Sequence, residues 1–218
     1  MRNVFGEEEN SFIPYLLFEY FKRIKFMEEL YKFVNIPNFR EVQTELLNAI
    51  DYDYQSKGKH AKNYTAGYMK LKCPTLMNWL NGKNKSHYRL LRFYFTPPNG
   101  ALEHHIDGNT PTVPFGLNIP VINCENTSMT WWNCDEDNFR IPNPDNGYLG
   151  AITPKDLSKI TVKDKLELIK PCFTRNNIMH SIENPNNTTR IMFTVRWGLH
   201  PTKFRTIDEV MDTTDLFA

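Results

Sequence analysis

The sequence predicts a mainly β protein with flanking helices, and three observations carry that prediction. An aromatic and apolar run at residues 88–95 ends in the turn-forming cluster Pro97-Pro98-Asn99-Gly100. From Arg190 onward, Arg190, Met192, Thr194 and Arg196 alternate with Ile191, Phe193, Val195 and Trp197, the period of a strand with one polar and one apolar face. Ahead of both, apolar residues recur at helical spacing.

In chain order, Leu17, Phe21, Ile24, Met27, Tyr31 and Val34 predict an amphipathic helix within residues 15–34. Its charged residues, Glu19, Lys22 and Arg23 among them, exclude a membrane span; it packs on the sheet or serves as a homodimer contact. A second helix is expected over 39–50, with Asn38 and Glu41 as a capping-box-like pair and Val42, Leu46 and Ile50 as its stripe. Residues 51–72 lack periodicity and read as a surface loop or a lid. A third helix starts at Pro74 and ends near Gly82.

After the strand at 88–95 and its turn, a second strand is expected to carry His105 and Asp107 near its start. Residues 135–148, rich in Asn, Asp and Pro, read as a long loop. The stretch around Ile178-Met179-His180, the turn Asn184-Pro185-Asn186-Asn187 and the alternating run from Arg190 read as a hairpin, with His180 across from the polar face.

Composition fits a single domain of 218 residues, 40% hydrophobic and 13% aromatic. Its parts are a mainly helical and loop region at 1–87, a strand-rich core at 88–198 and a tail at 199–218. A net charge of +1 gives no global field toward nucleic acid or membranes, and the basic clusters at 56–62 and 83–85 read as solvated loops. Cys73, Cys124, Cys134 and Cys172 are widely spaced and no signal peptide precedes them, which points to reduced thiols and a cytoplasmic setting.

The chemistry concentrates in His105-Ile106-Asp107, His180 and Arg190. Alternation puts His105 and Asp107 on one side of a strand with Ile106 away from them. A second, distant histidine completes a 2-His-1-carboxylate set, which leaves coordination positions open and marks non-haem Fe(II) oxygenases. Parity turns His104 away from that set. His60, His87 and His200 have no carboxylate at ligand spacing and read as ordinary. Arg190 supplies a permanently charged fork suited to a carboxylate. Arg196 shares its face about 20 Å further along the strand and is a rival for that task, or a substrate-end or structural residue.

These residues resemble the Fe(II)- and 2-oxoglutarate-dependent oxygenases, whose pattern is His-x-Asp, a long gap, His, and a basic residue about ten positions on. The segment from Leu117 to Asn126, with Thr127 to Trp132 after it, is similar to the two middle core strands of small bacterial and phage-type members related to the prolyl and aspartyl/asparaginyl hydroxylases. The resemblance covers residues 35–198. It implies a double-stranded β-helix, or jelly-roll, core of the cupin type, with His105, Asp107 and His180 as metal ligands and catalytic centre. Arg190 would anchor 2-oxoglutarate, with Asn118 and Arg196 as further cosubstrate-site candidates; Trp131 and Trp132 belong to the pocket wall or to the core. The implied co-reactants are Fe(II), 2-oxoglutarate and O2, the products succinate and CO2, and the default outcome hydroxylation of a small molecule or peptide. Two other readings remain: a jelly-roll binding or structural protein without turnover, and a cupin-type hydrolase or isomerase using another divalent metal, where Arg190 has no evident task.

Overall fold

The computed structural model describes residues 30–50, 61–83, 88–107, 115–140 and 151–197. Three helices and twelve strands are formed among them: β1 (Tyr31–Phe33), α1 (Phe39–Ala49), β2 (Ala61–Asn63), α2 (Ala66–Lys72), α3 (Pro74–Lys83), β3 (Tyr88–Thr96), β4 (Gly100–His105), β5 (Phe115–Ile122), β6 (Ser128–Asn133), β7 (Phe139–Arg140), β8 (Thr153–Pro154), β9 (Thr161–Glu167), β10 (Cys172–Arg175), β11 (His180–Asn184) and β12 (Arg190–Trp197). The larger sheet runs β1-β10-β5-β12-β3-β2 and the smaller β4-β11-β6-β9, with β7 and β8 as a separate pair. All neighbours are antiparallel. The chain therefore folds as mainly β, with two antiparallel sheets and helices beside them.

Strand β12 shows why the sheets take these positions. Its Ile191, Phe193 and Val195 join Leu91, Phe93, Leu117 and Ile119 in an apolar layer, against which Val42 and Leu46 of α1, Met69 of α2 and Leu76 and Leu80 of α3 pack. This helix-covered outer face of the larger sheet is the hydrophobic core. The alternate residues of β12 face the smaller sheet across a cavity. Two environments with a period of two explain the alternation seen in the sequence.

Helix α1 matches its expected span, but Asn38 takes a left-handed conformation (φ 54°) and its side chain makes no cap bond, so the capping-box expectation is corrected. Instead Glu45 of α1 reaches across to α3 and accepts from the backbone N–H of Thr75 at 3.1 Å, satisfying a donor exposed at that helix start. The third helix begins at Pro74 as expected.

Four other expectations change. Residues 1–29 lie outside the described residues, and with them most of the helix expected within 15–34; its far end is strand: Tyr31, Lys32 and Phe33 pair with Thr174, Phe173 and Cys172. Residues 51–60 also lie outside, but the rest of the supposed loop is regular. Ala61–Asn63 adds an edge strand to β3, and Thr65 caps α2 by accepting from Tyr68 N. The described part of the 135–148 loop holds a short 3-10 turn and β7, which pairs with β8. Finally, β11 and β12 do not form a hairpin, because β11 belongs to the smaller sheet and β12 to the larger. The Asn-rich turn carries the chain from one sheet to the other. His60, His87, His200 and the tail lie outside the described residues. No described helix is long and apolar enough to cross a membrane.

Candidate metal centre and its cavity

Crossing from sheet to sheet brings the predicted residues together. His105 closes β4 and His180 opens β11, and the two are Cα partners across that pair of strands. Their rings lie with centroids 4.4 Å apart. Between His180 and Ile182 the register slips by one residue, so Leu102 and His105, three positions apart, both face the cavity. The His-x-Asp tripeptide thus sits at the end of its strand and not at its start. Ile106 is buried and makes an isolated two-bond bridge with Ile152, which holds His105 and Asp107 on either side of it.

The ligand atoms of His105, Asp107 and His180 lie within 4.8 Å of one another, a group able to hold one metal ion. The hydrogen bonds of the imidazoles define which nitrogens are free. His105 Nδ1 donates to Glu103 O at 2.6 Å and His180 Nδ1 to Ile178 O at 2.8 Å. A carbonyl only accepts, so each ring carries its proton on Nδ1 and offers the Nε2 lone pair to a metal. His105 Nε2 lies 3.5 Å from Asp107 Oδ1. The donor set therefore fits a divalent cation bound by two nitrogens and one carboxylate oxygen.

The charges of Asp107 and His180 agree with that use. Burial alone would raise the Asp107 carboxyl, but the Arg196 guanidinium and both imidazoles overcome it and hold the group well below the usual carboxylate range. Burial pushes His180 down to about 4, which keeps it neutral and ready to ligate. For His105 burial also acts downward, but the Asp107 carboxylate outweighs it and raises the imidazole.

For Arg196 the structural alternative holds. Its Nη2 pairs directly with Asp107 Oδ2, leaving Oδ1 toward the histidines, so it belongs to the end of the cavity that carries the candidate ligands and not to a distant substrate end. Asn176, which the sequence did not single out, supports both: its backbone oxygen accepts from Asp107 N at 3.0 Å. Its amide, turned to satisfy its neighbours, accepts from Arg196 Nη2 at 3.2 Å and donates to Thr174 Oγ1 at 3.2 Å. No sequence signal marks Asn176, because these contacts cross two strands and a sheet.

The same cavity, about 380 Å³, extends along β12 to Arg190. Arg190 is 3% exposed, and Nε donates to Thr127 Oγ1 at 3.1 Å. No described carboxylate pairs with it. Burial accordingly pulls its pKa down, whereas for Arg196 burial acts the same way but Asp107 outweighs it and raises the group. Asn184 steadies this end: its Nδ2 donates to Thr96 O, Pro97 O and Thr188 O, tying the turn after β3 to the turn before β12. The sequence reading used Asn184 only as a turn former.

Asn118 lines the cavity while Leu117 and Ile119 enter the core, as its parity predicts. Its amide accepts from Thr194 Oγ1 and donates to Thr174 Oγ1, each at 2.6 Å. Neither indole lines the cavity. Trp131 is fully buried, stacks on Tyr31 and donates to Arg175 O, while Trp132 meets the edge of His104. His104 is outside the ligand group.

No family model matches the chain, and no curated protein sequence does. Solved structures give weak likenesses. The non-heme alpha-ketoglutarate-dependent carbocyclase SnoK of nogalamycin biosynthesis is 12% identical, with a TM-score of 0.48 over 86% of this chain and 87% of its own. The epimerase SnoN, in complex with Fe3+, alpha-ketoglutarate and nogalamycin RO, is 14% identical, with a TM-score of 0.46 over 85% and 84%. Iron-bound HygX from Streptomyces hygroscopicus is 9% identical, with a TM-score of 0.43 over 89% and 92%. At these values the likenesses assign no chemistry to this chain.

Proposed function

We propose that this chain is an Fe(II)- and 2-oxoglutarate-dependent dioxygenase on a double-stranded β-helix, hydroxylating an organic substrate with release of succinate and CO2. One observation carries the reading. A single cavity holds an imidazole-carboxylate-imidazole group at one end and, at the other, a buried arginine without a described carboxylate partner. A buried cation left in that state is costly, so a site that keeps one is matched to an anion that arrives with a ligand. The scaffold reading is supported by strand order, since β3, β4, β5 and β6, and then β9, β10, β11 and β12, distribute themselves between two four-strand layers.

His105 and His180 would hold iron through Nε2, and Asp107 through Oδ1. When bound, Fe(II) supplies open coordination positions for the 2-oxo acid and dioxygen, and with them the oxidising power. The chain does the rest. Arg190 receives the far carboxylate of the cosubstrate in a charge-assisted pair. Asn118, oriented by Thr174 and Thr194, presents the remaining amide proton to the cavity. Arg196 keeps Asp107 ionised and its second oxygen occupied. Met129, Leu168, Ile182 and Met192 furnish an apolar wall that limits water.

Anaerobic titration of the protein with Fe(II) and then 2-oxoglutarate tests this. A visible charge-transfer absorption that saturates at one equivalent is expected. Iron uptake without that band would leave a metal protein that does not chelate 2-oxoglutarate and would end the reading.

A further inference from the structure

Resting on that reading, the cavity also indicates the class of substrate. Among its described lining residues stand three guanidinium groups, Arg92, Arg190 and Arg196, against one carboxylate, Asp107, an excess of two positive charges. A divalent metal and a doubly charged 2-oxoglutarate cancel each other, so the loaded cavity keeps the excess. Arg190 and Arg196 are accounted for by the cosubstrate and by Asp107. Arg92 is not.

Arg92 is built into the site. It is the Cα partner of Asn63 on one side and of Thr194 on the other, and Thr194 is the partner of Asn118. A polar row, Asn63-Arg92-Thr194-Asn118, therefore crosses four neighbouring strands at a level between the two ends of the cavity. Arg92 Nε donates to Asn63 Oδ1 at 2.5 Å and Nη1 to Tyr94 Oη at 3.1 Å, and the guanidinium carbon lies 5.4 Å from the Tyr94 ring centroid. These neutral partners fix the orientation of the group without neutralising it. Its Nη2 has no hydrogen-bond partner among the described residues, and no described carboxylate pairs with it.

We propose that Arg92 is the anion-binding residue of the substrate site, and that the substrate carries a carboxylate or phosphate group that Arg92 receives. A planar fork with two of its nitrogens already held loses little freedom on binding such a group. A cleft with low-dielectric walls and an uncompensated positive charge also draws anions to it.

The test uses the full chain loaded with Mn(II) and saturated with 2-oxoglutarate, titrated calorimetrically at constant ionic strength with inorganic phosphate in one arm and acetate in the other. At least one anion should bind the parent. Arg92→Gln should weaken that binding about tenfold or more, the scale of one lost charge-assisted bond, and Arg92→Lys, which keeps the charge but not the held fork, should weaken it less than Arg92→Gln does. Both variants should keep the parent's affinity for 2-oxoglutarate. Phosphate binding alone assigns a phosphorylated substrate, and acetate binding alone a carboxylic acid. Failure of both anions to bind the parent, or equal binding by Arg92→Gln, overturns the proposal. Should the parent take up no 2-oxoglutarate, the cosubstrate reading fails separately, and the same titrations on Mn(II)-loaded protein still decide Arg92.

Discussion

Arg190 and Arg196 stand on one face of one strand, both buried, and differ in what they meet. Arg196 finds Asp107 in the opposite sheet, while Arg190 finds a threonine hydroxyl and no described carboxylate. The first cation is paired within the fold and holds Asp107, a candidate metal ligand, in place. The second has no described carboxylate to meet, and the proposed cosubstrate would supply one. Residue type and strand parity are the same at both positions, so the division of labour comes from the sheet opposite.

The outer face of β12 is the control for this comparison, and it carries the largest expected effect. Phe193→Ala removes a fully buried ring between β12 and the helices and should lower unfolding stability by about 3–5 kcal/mol in denaturant titrations. A cost below about 1 kcal/mol would mean that the helix-covered layer is not the core.

At the Arg196 end, His180→Ala removes one of the three proposed ligands. Loss of a group that merely supports a ligand costs about 10–100-fold in affinity, so loss of the ligand itself should cost at least about 100-fold, read by competition with a chelator. Asp107→Ala is a harsher variant than the sequence suggests, since it also strands Arg196 as a buried unpaired cation.

Acid should act at the same end of the metal-free protein. His180 has a folded pKa depressed to about 4 by burial, below its unfolded value of about 6.5. The unfolded chain therefore binds the extra proton first, and stability present above about pH 6.5 is lost as the pH falls toward 4, by up to about 1.4 kcal/mol per unit. Asp107 adds its own loss only below the ordinary carboxylate range. Stability that is flat from pH 6.5 to 4, or that rises on acidification, would contradict this account of His180.

The smallest effect belongs to His104. Its ring meets Trp132 outside the ligand group, so His104→Ala should leave metal affinity within about twofold, less than about 0.5 kcal/mol. Metal lost in His104→Ala and kept in His105→Ala would mean that the register at the end of β4 is shifted by one.

What could be read from sequence follows the range of the interactions involved. The two faces of β12 were legible because burial on one side and a cavity on the other leave a period-two trace. The grouping of His105, Asp107 and His180 was legible because a candidate metal centre is marked by particular residue types at constrained spacings. The partner of Arg196 was not, since Asp107 lies 89 positions away in the chain and in the other sheet. The false hairpin has the same origin: Asn184 to Asn187 would look alike whether the chain returned within one sheet or crossed to the next. Tyr31 and Val34 fit a helical stripe until strand β10, far along the chain, offered the edge to which Tyr31 pairs.

The division between the two arginines is tested most directly by titrating 2-oxoglutarate, under anaerobic conditions with Fe(II) present, into Arg190→Met and Arg196→Met side by side with the parent. Arg190→Met should keep iron affinity and weaken 2-oxoglutarate binding by about 2–4 kcal/mol, roughly 30-fold or more. Arg196→Met should lose folding stability and iron affinity, through the stranded Asp107 carboxylate, and much less of its affinity for 2-oxoglutarate. Loss of 2-oxoglutarate in Arg196→Met with full retention in Arg190→Met would exchange the two roles; retention in both would contradict the account at its centre.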